Sequence, residues 1–449
     1  MSIFYLRARE IIVYSLCLFA WGIVQVRSSM EKPNVIMIMA DDLGYECLGV
    51  YGSLSYETPH LDRMAEEGVL FSDAHAIPLC TPTRVSLMTG KYNFRNWKAF
   101  GILDPNARTF GHWMRDAGYA TCIVGKWQLW SYNRIGYMPE WRSRGMTAEN
   151  AGFDEYALFH TEHDEQKGSR YSDPDIDVNG TYLKNKEGRY GPDFSVEYMG
   201  EFMERHKNEP FFVYYPMALT HGPLQPTPDS PEWPEQRHQE DTRFFKDMVE
   251  YMDKLIGKIR AKVDQLGLSE NTLILFYSDN GTVRGIPSKM KDGTTIIGGK
   301  GDPTVYGSHV PLIVSWPGTA KAGHIVSDLV EPNDFIPTIL EAAGVPLPED
   351  EIFDGVSFLP QLKGETGNPR EWIFIHYNPL PGHGKERFRK WRWAQDHRWK
   401  LSEETGYLFD LSVDPLEKFP IMVGEGSEAA ETARTKLQAV IDSMPDQEI

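Results

Sequence analysis

Residues 35–42 read VIMIMADD, five apolar side chains in a row followed by Ala40 and two adjacent carboxylates, Asp41 and Asp42. A half-exposed strand alternates apolar and polar residues. This run does not alternate, so it reads as a strand buried on both faces. Three other stretches repeat the arrangement. ATCIV at 120–124 runs into Gly125-Lys126-Trp127-Gln128, FFVYY at 211–215 leads to Thr220-His221-Gly222, and LILFY at 273–277 runs into Ser278-Asp279-Asn280-Gly281. Helical patterns lie between them at 58–67, 108–117, 195–207, 241–266 and 334–343, several closed by a glycine (Gly68, Gly118, Gly344). Strands alternating with helices predict an α/β fold, a large mostly parallel or mixed sheet sandwiched by helices. In such sheets functional groups collect at the carboxyl ends of the strands. Asp41, Asp42, Lys126, His221, Asp279 and Asn280 all fall there.

The chain has 449 residues, 41% of them hydrophobic, and a formal net charge of −18. That apolar content fills a large core without disulfide staples. The acidic balance argues against a nucleic-acid partner, which selects a basic surface. Residues 1–28 read as a signal peptide: Arg7 and Arg9 precede the apolar run 11–26, and Val26-Arg27-Ser28 offers a cleavage site. The expectation is an exported protein, periplasmic or secreted, with no stable membrane insertion after cleavage. The alternating strands and helices fill residues 30–365. From 366 the pattern changes to short strands within 372–377, 389–401 and 407–411 and a last helix at 432–443, which predicts a smaller α+β subdomain with an antiparallel sheet. Cys17 leaves with the signal peptide, and Cys47, Cys80 and Cys122 remain. An odd number leaves at least one outside any intramolecular bridge. Cys47 and Cys122 are open either to pairing or to two buried thiols.

Adjacent carboxylates in a cleft repel each other and are costly to keep ionised unless a cation binds them. Asp41, Asp42, Asp279 and the amide oxygen of Asn280 form a hard, oxygen-rich set suited to Ca2+ or Mg2+. Taken pair by pair, the same residues are ordinary turn formers. Arg84, Lys126 and Lys300 offer positive charge for an anion, and His221 in Thr-His-Gly-Pro is a candidate general acid. The stretch 78–90, PLCTPTRVSLMTG, places Cys80 at the start of a helix. Free N–H groups and the helix dipole suit either a thiolate or an anion held there.

Cys80-Thr81-Pro82-Thr83-Arg84, followed by Thr89-Gly90-Lys91, closely resembles the signature of the formylglycine-dependent sulfatases, arylsulfatase-like members of the alkaline phosphatase superfamily. Further blocks resemble the family in its own order: 34–52, Gly125-Lys126-Trp127, Thr220-His221-Gly222-Pro223, Ser278-Asp279-Asn280-Gly281, Gly299-Lys300-Gly301, 310–318 and 407–417. The likeness spans residues 33 to 420, far more than a single motif. It implies that a formylglycine-generating maturation enzyme oxidises Cys80 to 3-oxoalanine, whose hydrate is the nucleophile. It implies one Ca2+ per chain on Asp41, Asp42, Asp279 and Asn280, also touching residue 80 and a sulfate oxygen. Asp279 then helps deprotonate the hydrate and Arg84 stabilises it. Lys126 and Lys300 hold the sulfate, and His221 protonates the leaving oxygen. A sulfated hydrate can expel sulfate by re-forming the aldehyde, which a serine alkoxide cannot do.

Two positions depart from the family pattern. Gln128 stands where relatives often carry a histidine that contacts the formylglycine hydroxyl; it can still hydrogen-bond the hydrate or sulfate but cannot shuttle a proton at neutral pH. His309 stands where many relatives have arginine. The implied substrate is a sulfated carbohydrate, cut from a glycan end. Arg142, Arg144, His160, His163, Lys167 and Arg170 lie in one candidate recognition region. The basic, aromatic stretch KERFRKWR at 385–392 is another, with Trp391 or Trp393 to stack on a sugar ring, or else an ordinary solvated loop. The competing readings are a formylglycine-dependent phosphodiesterase or phosphonate monoester hydrolase and a catalytically silent glycan-binding relative.

Overall fold

A run of apolar residues with no polar face can satisfy its backbone only inside a sheet covered on both sides, and this determines the centre of the molecule. The computed structural model describes residues 32–130, 143–159, 161 and 168–446. The expected signal peptide and Arg142, His160, His163 and Lys167 lie outside the described residues. Among the described residues no helix is long and apolar enough to cross a membrane.

The main sheet contains β1 (Asn34–Ala40), β2 (Val69–His75), β3 (Ala120–Lys126), β4 (Glu155–Phe159), β5 (Ile176–Val178), β6 (Thr181–Leu183), β7 (Phe211–Pro216) and β8 (Thr272–Ser278). A two-stranded ribbon, β9 (Pro287–Lys289) and β10 (Thr295–Ile297), follows, and then β11 (His309–Ser315) and β12 (His324–Val326) return to the main sheet. The order across its ten strands is β12-β2-β11-β8-β1-β7-β3-β4-β5-β6. From β8 to β4 every neighbour is parallel, while β11 runs antiparallel to both β8 and β2. The sheet is therefore mixed around a parallel centre. Every residue of β1, β7 and β8 is buried. One face packs Met37, Phe212 and Tyr214 against Trp127 and Phe335. The other packs Ile36 and Val213 against Phe202 and Ile256, from the helices Gly191–Arg205 and Phe244–Gln265.

The helices keep their expected places with shifted ends, for capping reasons. The segment expected over 108–117 starts at Phe110, because Thr109 and His112 form a capping box. The one expected from Ser195 starts at Gly191, with Pro192 in its first turn, where a missing N–H costs nothing. Strand β2 carries no clear pattern, because Ser72 and Asp73 interrupt it and its pairing with β11 shifts register between Val310 and Leu312. The C-terminal part forms an antiparallel sheet of β13 (Ile373–Tyr377), β14 (Trp391–Gln395), β15 (Trp399–Ser402) and β16 (Leu408–Asp410), packed on the helix Glu428–Ser443. Cys47 and Cys122 are buried free thiols, not a disulfide.

Register brings the functional strand ends together. Ala40 pairs with Ser278 and Met39 with Pro216, so the residues after β1, β7 and β8 leave the sheet side by side. On β3, Gly125 adopts φ +99°, and a Cβ there would lie 2.3 Å from the Pro216 carbonyl oxygen. Gly125→Ala should therefore displace the end of β3 and the lysine that follows it. We expect a loss of ~1–3 kcal/mol or more in denaturant unfolding, from the strained conformation alone, with a parallel loss of turnover.

Candidate active site

The pocket is built from strand ends and one helix start. Asp41 and Asp42 follow β1, Lys126 ends β3, His221 follows β7, and Asp279 and Asn280 follow β8. Cys80 is the first residue of the helix Cys80–Thr89, whose ten residues are all buried. Thr83 fixes the helix entry: its hydroxyl accepts from the Ile77 N–H (3.0 Å) and donates to the Ile77 carbonyl (2.8 Å). One turn in, the buried Arg84 donates from Nη2 to the Lys126 carbonyl at 2.8 Å, tying helix to strand.

Two lysine–carboxylate contacts organise the centre. Lys126 Nζ donates to Asp41 Oδ2 at 2.6 Å, with both side chains only 2% exposed. Lys300 Nζ lies 2.6 Å from Asp42 Oδ1. The Asp42 N–H donates to Asp279 Oδ1 (3.2 Å), and Asn280 Nδ2 donates to Asp42 Oδ1 (2.8 Å). His221 Nε2 stands 3.9 Å from Asp42 Oδ2, and its Nδ1 lies 2.6 Å from the Gly222 carbonyl. The sequence-expected residues Cys80, Arg84, Lys126, His221, Lys300, Asp41, Asp42, Asp279 and Asn280 thus converge. Gln128 is buried two residues beyond Lys126, with φ +49°, and Asp42 has φ +67°. Non-glycine residues held in that region concentrate where a site over-determines the backbone.

Burial sets the protonation pattern. Asp279 is pushed well above the usual carboxylate range by burial and by the Asp41 charge beside it. Burial pushes Asp41 the same way, but the Lys126 ammonium, with Lys300, holds it below that range. Burial and Lys300 lower His221 to about 3 against the pull of Asp41 and Asp42, so its imidazole is neutral. Ligand atoms of Asp41, Cys80 and Asp279 lie within 4.8 Å of one another, as do those of Asp41, Asp42 and His221. Asp41 Oδ1 and Asn280 Oδ1 are buried acceptors without a hydrogen-bond partner. Orphaned hard oxygens beside crowded carboxylates fit a divalent cation.

The chain matches the model of the sulfatase family over residues 33–345. It belongs to the sulfatase family. Residues 306–443 also match the model described as N-sulphoglucosamine sulphohydrolase, C-terminal. Among curated relatives, this sulfatase is 28% identical over 447 residues to an N-acetylgalactosamine-6-sulfatase of Canis lupus familiaris, covering 87% of this chain and 82% of that protein. Among solved structures, Ps i-CgsB in complex with k-i-k-neocarrahexaose superposes with a TM-score of 0.71 at 25% identity, covering 92% of each chain. The fold is also shared with the phosphonate monoester hydrolase of Agrobacterium radiobacter, at a TM-score of 0.66 and 19% identity over 92% of this chain and 95% of that one. The sulfatase is thus a sulfuric ester hydrolase with the alkaline-phosphatase-like fold.

Some expectations need correction. Trp393 is 1% exposed, under the C-terminal sheet, and Arg392 is buried on Glu403 and the last helix, so neither reaches a sugar. Arg387 and Arg389 are exposed, on a loop whose Phe388 packs against Gly301, next to Lys300. His309 stacks on Tyr45 at 4.0 Å and lies 3.0 Å from the Ser72 carbonyl through Nε2, a packing role. Arg170, one of several bases in the candidate recognition region, reaches the catalytic histidine candidate. Its Nη1 lies 3.2 Å from His221 Nδ1, and no spacing in the sequence signals that contact.

Removing one partner of a buried ion pair leaves the other charge uncompensated. Lys126→Ala should cost ~3–5 kcal/mol in urea unfolding of chelator-treated protein. Asp41→Asn/Lys126→Met, which removes both charges, should lose markedly less.

Proposed function

We propose that this sulfatase releases sulfate from sulfated carbohydrates, acting at glycan ends, through a formylglycine hydrate made from Cys80 and with one bound Ca2+. The observation that carries this reading is the convergence on Cys80 of a carboxylate cluster and of cationic side chains from separate strands and loops. The names of the relatives, an N-acetylgalactosamine-6-sulfatase and a protein complexed with a neocarrahexaose, support a sugar substrate.

Each side chain then has a task set by its chemistry. Lys126 and Lys300 are donor-only cations that bind the sulfate oxygens and offset charge gathering there in the transition state. Arg84, held by the Lys126 carbonyl, orients the oxygen nucleophile on residue 80. Asp279, whose burial raises its proton affinity, is in its carboxylate form the group to accept a proton from that oxygen. His221, with Nδ1 against the Gly222 carbonyl, directs Nε2 toward the pocket; a sulfate anion bound there favours its protonated form, and that form delivers a proton to the leaving oxygen. Gln128 hydrogen-bonds the hydrate or the sulfate. Asp41, Asp42, Asp279 and Asn280 would hold Ca2+, which would supply Lewis acidity there; Lys126 and Lys300, now on Asp41 and Asp42, would turn to the substrate anion. The aldehyde at residue 80 supplies a nucleophile that can shed its sulfate without water attacking sulfur again.

A second reading, a formylglycine-dependent phosphodiesterase or phosphonate monoester hydrolase, draws on the fold shared with the Agrobacterium radiobacter enzyme. Parallel assays on an aryl sulfate and an aryl phosphate diester separate the two.

The deciding measurement is the mass of the peptide containing Cys80, from protein made in its own host. A loss of about 18 Da relative to the thiol form is expected. A persistent thiol would remove the proposed nucleophile. Ca2+ should raise the melting temperature of the wild type, because it binds only the folded state, and should fail to do so in Asp279→Ala. Neutralising Lys385, Arg387 and Arg389 together should raise KM on a sulfated oligosaccharide about threefold to tenfold with kcat little changed, since exposed rim charges act mainly on encounter.

A further inference from the structure

The block Asp414-Pro415-Leu416-Glu417 has no task in the chemistry above, although it lies in the C-terminal part of the chain nearest the lysine loop. Its local structure is a turn. The Asp414 carboxylate accepts from the N–H groups of Lys418 (2.9 Å) and Phe419 (2.7 Å), and Glu417 sits at φ +54°. That turn aims Glu417 inward, where it is 3% exposed. One carboxylate oxygen, Oε2, accepts from Lys400 Nζ on β15 at 2.8 Å, and Oε1 accepts from the backbone N–H of Val305 at 2.7 Å. Lys400, 2% exposed, spends a second hydrogen bond on the Pro303 carbonyl at 2.6 Å.

Both targets lie on the segment that carries Lys300. This segment hydrogen-bonds to the parts of the pocket wall that carry Asn280 and Cys80. The Lys300 N–H donates to the Thr282 carbonyl (3.0 Å), and the Gly301 N–H to the Pro78 carbonyl (2.8 Å), two residues before Cys80. The Gly307 carbonyl accepts from the N–H of Gly281 (2.9 Å), next to Asn280. Gly301 itself, at φ +85°, is covered by Phe388. Burying an ion pair is a poor way to gain stability, because desolvation offsets the attraction; an apolar pair would pack β15 as well. What an apolar pair cannot do is hold one backbone carbonyl and one backbone N–H two residues apart in fixed positions.

We propose that Glu417 and Lys400 are positioning residues that hold segment 300–305 so that the Lys300 ammonium stays in the sulfate pocket. The proposal rests on the reading of Lys300 as a sulfate-binding group. The pair acts on catalysis from the C-terminal sheet without touching substrate, through Val305 and Pro303.

A double-mutant cycle tests this. Wild type, Lys300→Ala, Glu417→Gln and the double variant are assayed on a sulfate monoester that the wild type cleaves, after matched thermal melts. A misplaced binding group commonly costs up to a hundredfold, so Glu417→Gln should lower kcat/KM by about 10- to 100-fold. In the Lys300→Ala background the same change should cost less than about threefold, because the group it positions is gone. An equal fold-loss in both backgrounds would show a merely structural role and overturn the proposal while leaving the Lys300 reading intact. Wild-type kinetics in Lys300→Ala would overturn both. Should Glu417→Gln not fold, Lys400→Met/Glu417→Met removes the charges together, a change buried pairs tolerate, and the cycle is read with that variant.

Discussion

Three carboxylates crowded at the ends of two neighbouring strands are the constraint to which the rest of this structure answers. Asp41, Asp42 and Asp279 are buried, and carboxylates cannot stay ionised so close together without compensation. The chain answers with Lys126 from β3 and Lys300 from a distant loop, each within 2.6 Å of one carboxylate. The result is a pocket held in tension: Asp41 stays ionised, Asp279 is driven toward its acid form, and two hard oxygens are left without donors. The crowded carboxylates and orphaned oxygens are a set that would fit a divalent cation.

The mixed sheet exists to bring those groups to one edge. Parallel strands β8, β1, β7 and β3 all point their carboxyl ends the same way, so four separate loops meet over a few ångströms. The antiparallel strand β11 brings the chain back so that segment 300–308 approaches from the opposite side and closes the wall beside Cys80. The C-terminal sheet lines that wall too: Ile375, Tyr377 and Trp393 share an apolar cluster with Cys80.

Much of this was legible in the sequence because burial leaves a direct trace. The non-alternating runs at 35–39, 120–124, 211–215 and 273–277 became the central strands, and the charged residues just beyond them became the pocket. Strand β2 was not legible, since Ser72 and Asp73 break its apolar run and its register is set by a bulge rather than by pattern. The contact between Arg170 and His221 joins residues 51 apart in sequence and depends wholly on tertiary packing. The aromatic stretch at 391–393 misled for a related reason: Trp393 and Arg392 look like a recognition surface in sequence, but strand alternation turns Arg392 to the last helix and Trp393 into the apolar cluster with Cys80.

The helix Cys80–Thr89 has one further consequence. All ten of its residues are buried, Arg84 anchors it to β3, and Cys80 at its start shares an apolar cluster with the C-terminal sheet, which is made late. An enzyme that must grip several residues around Cys80 finds no purchase on the finished molecule. The maturation proposed for Cys80 would then belong to the time before the chain closes, while the amino-terminal third is made and the final sheet is not. The order of synthesis, from amino to carboxyl end, leaves such an interval open. On that proposal the readiness of the nucleophile and the completion of the core would compete, and the late arrival of residues 373–410 would set the deadline.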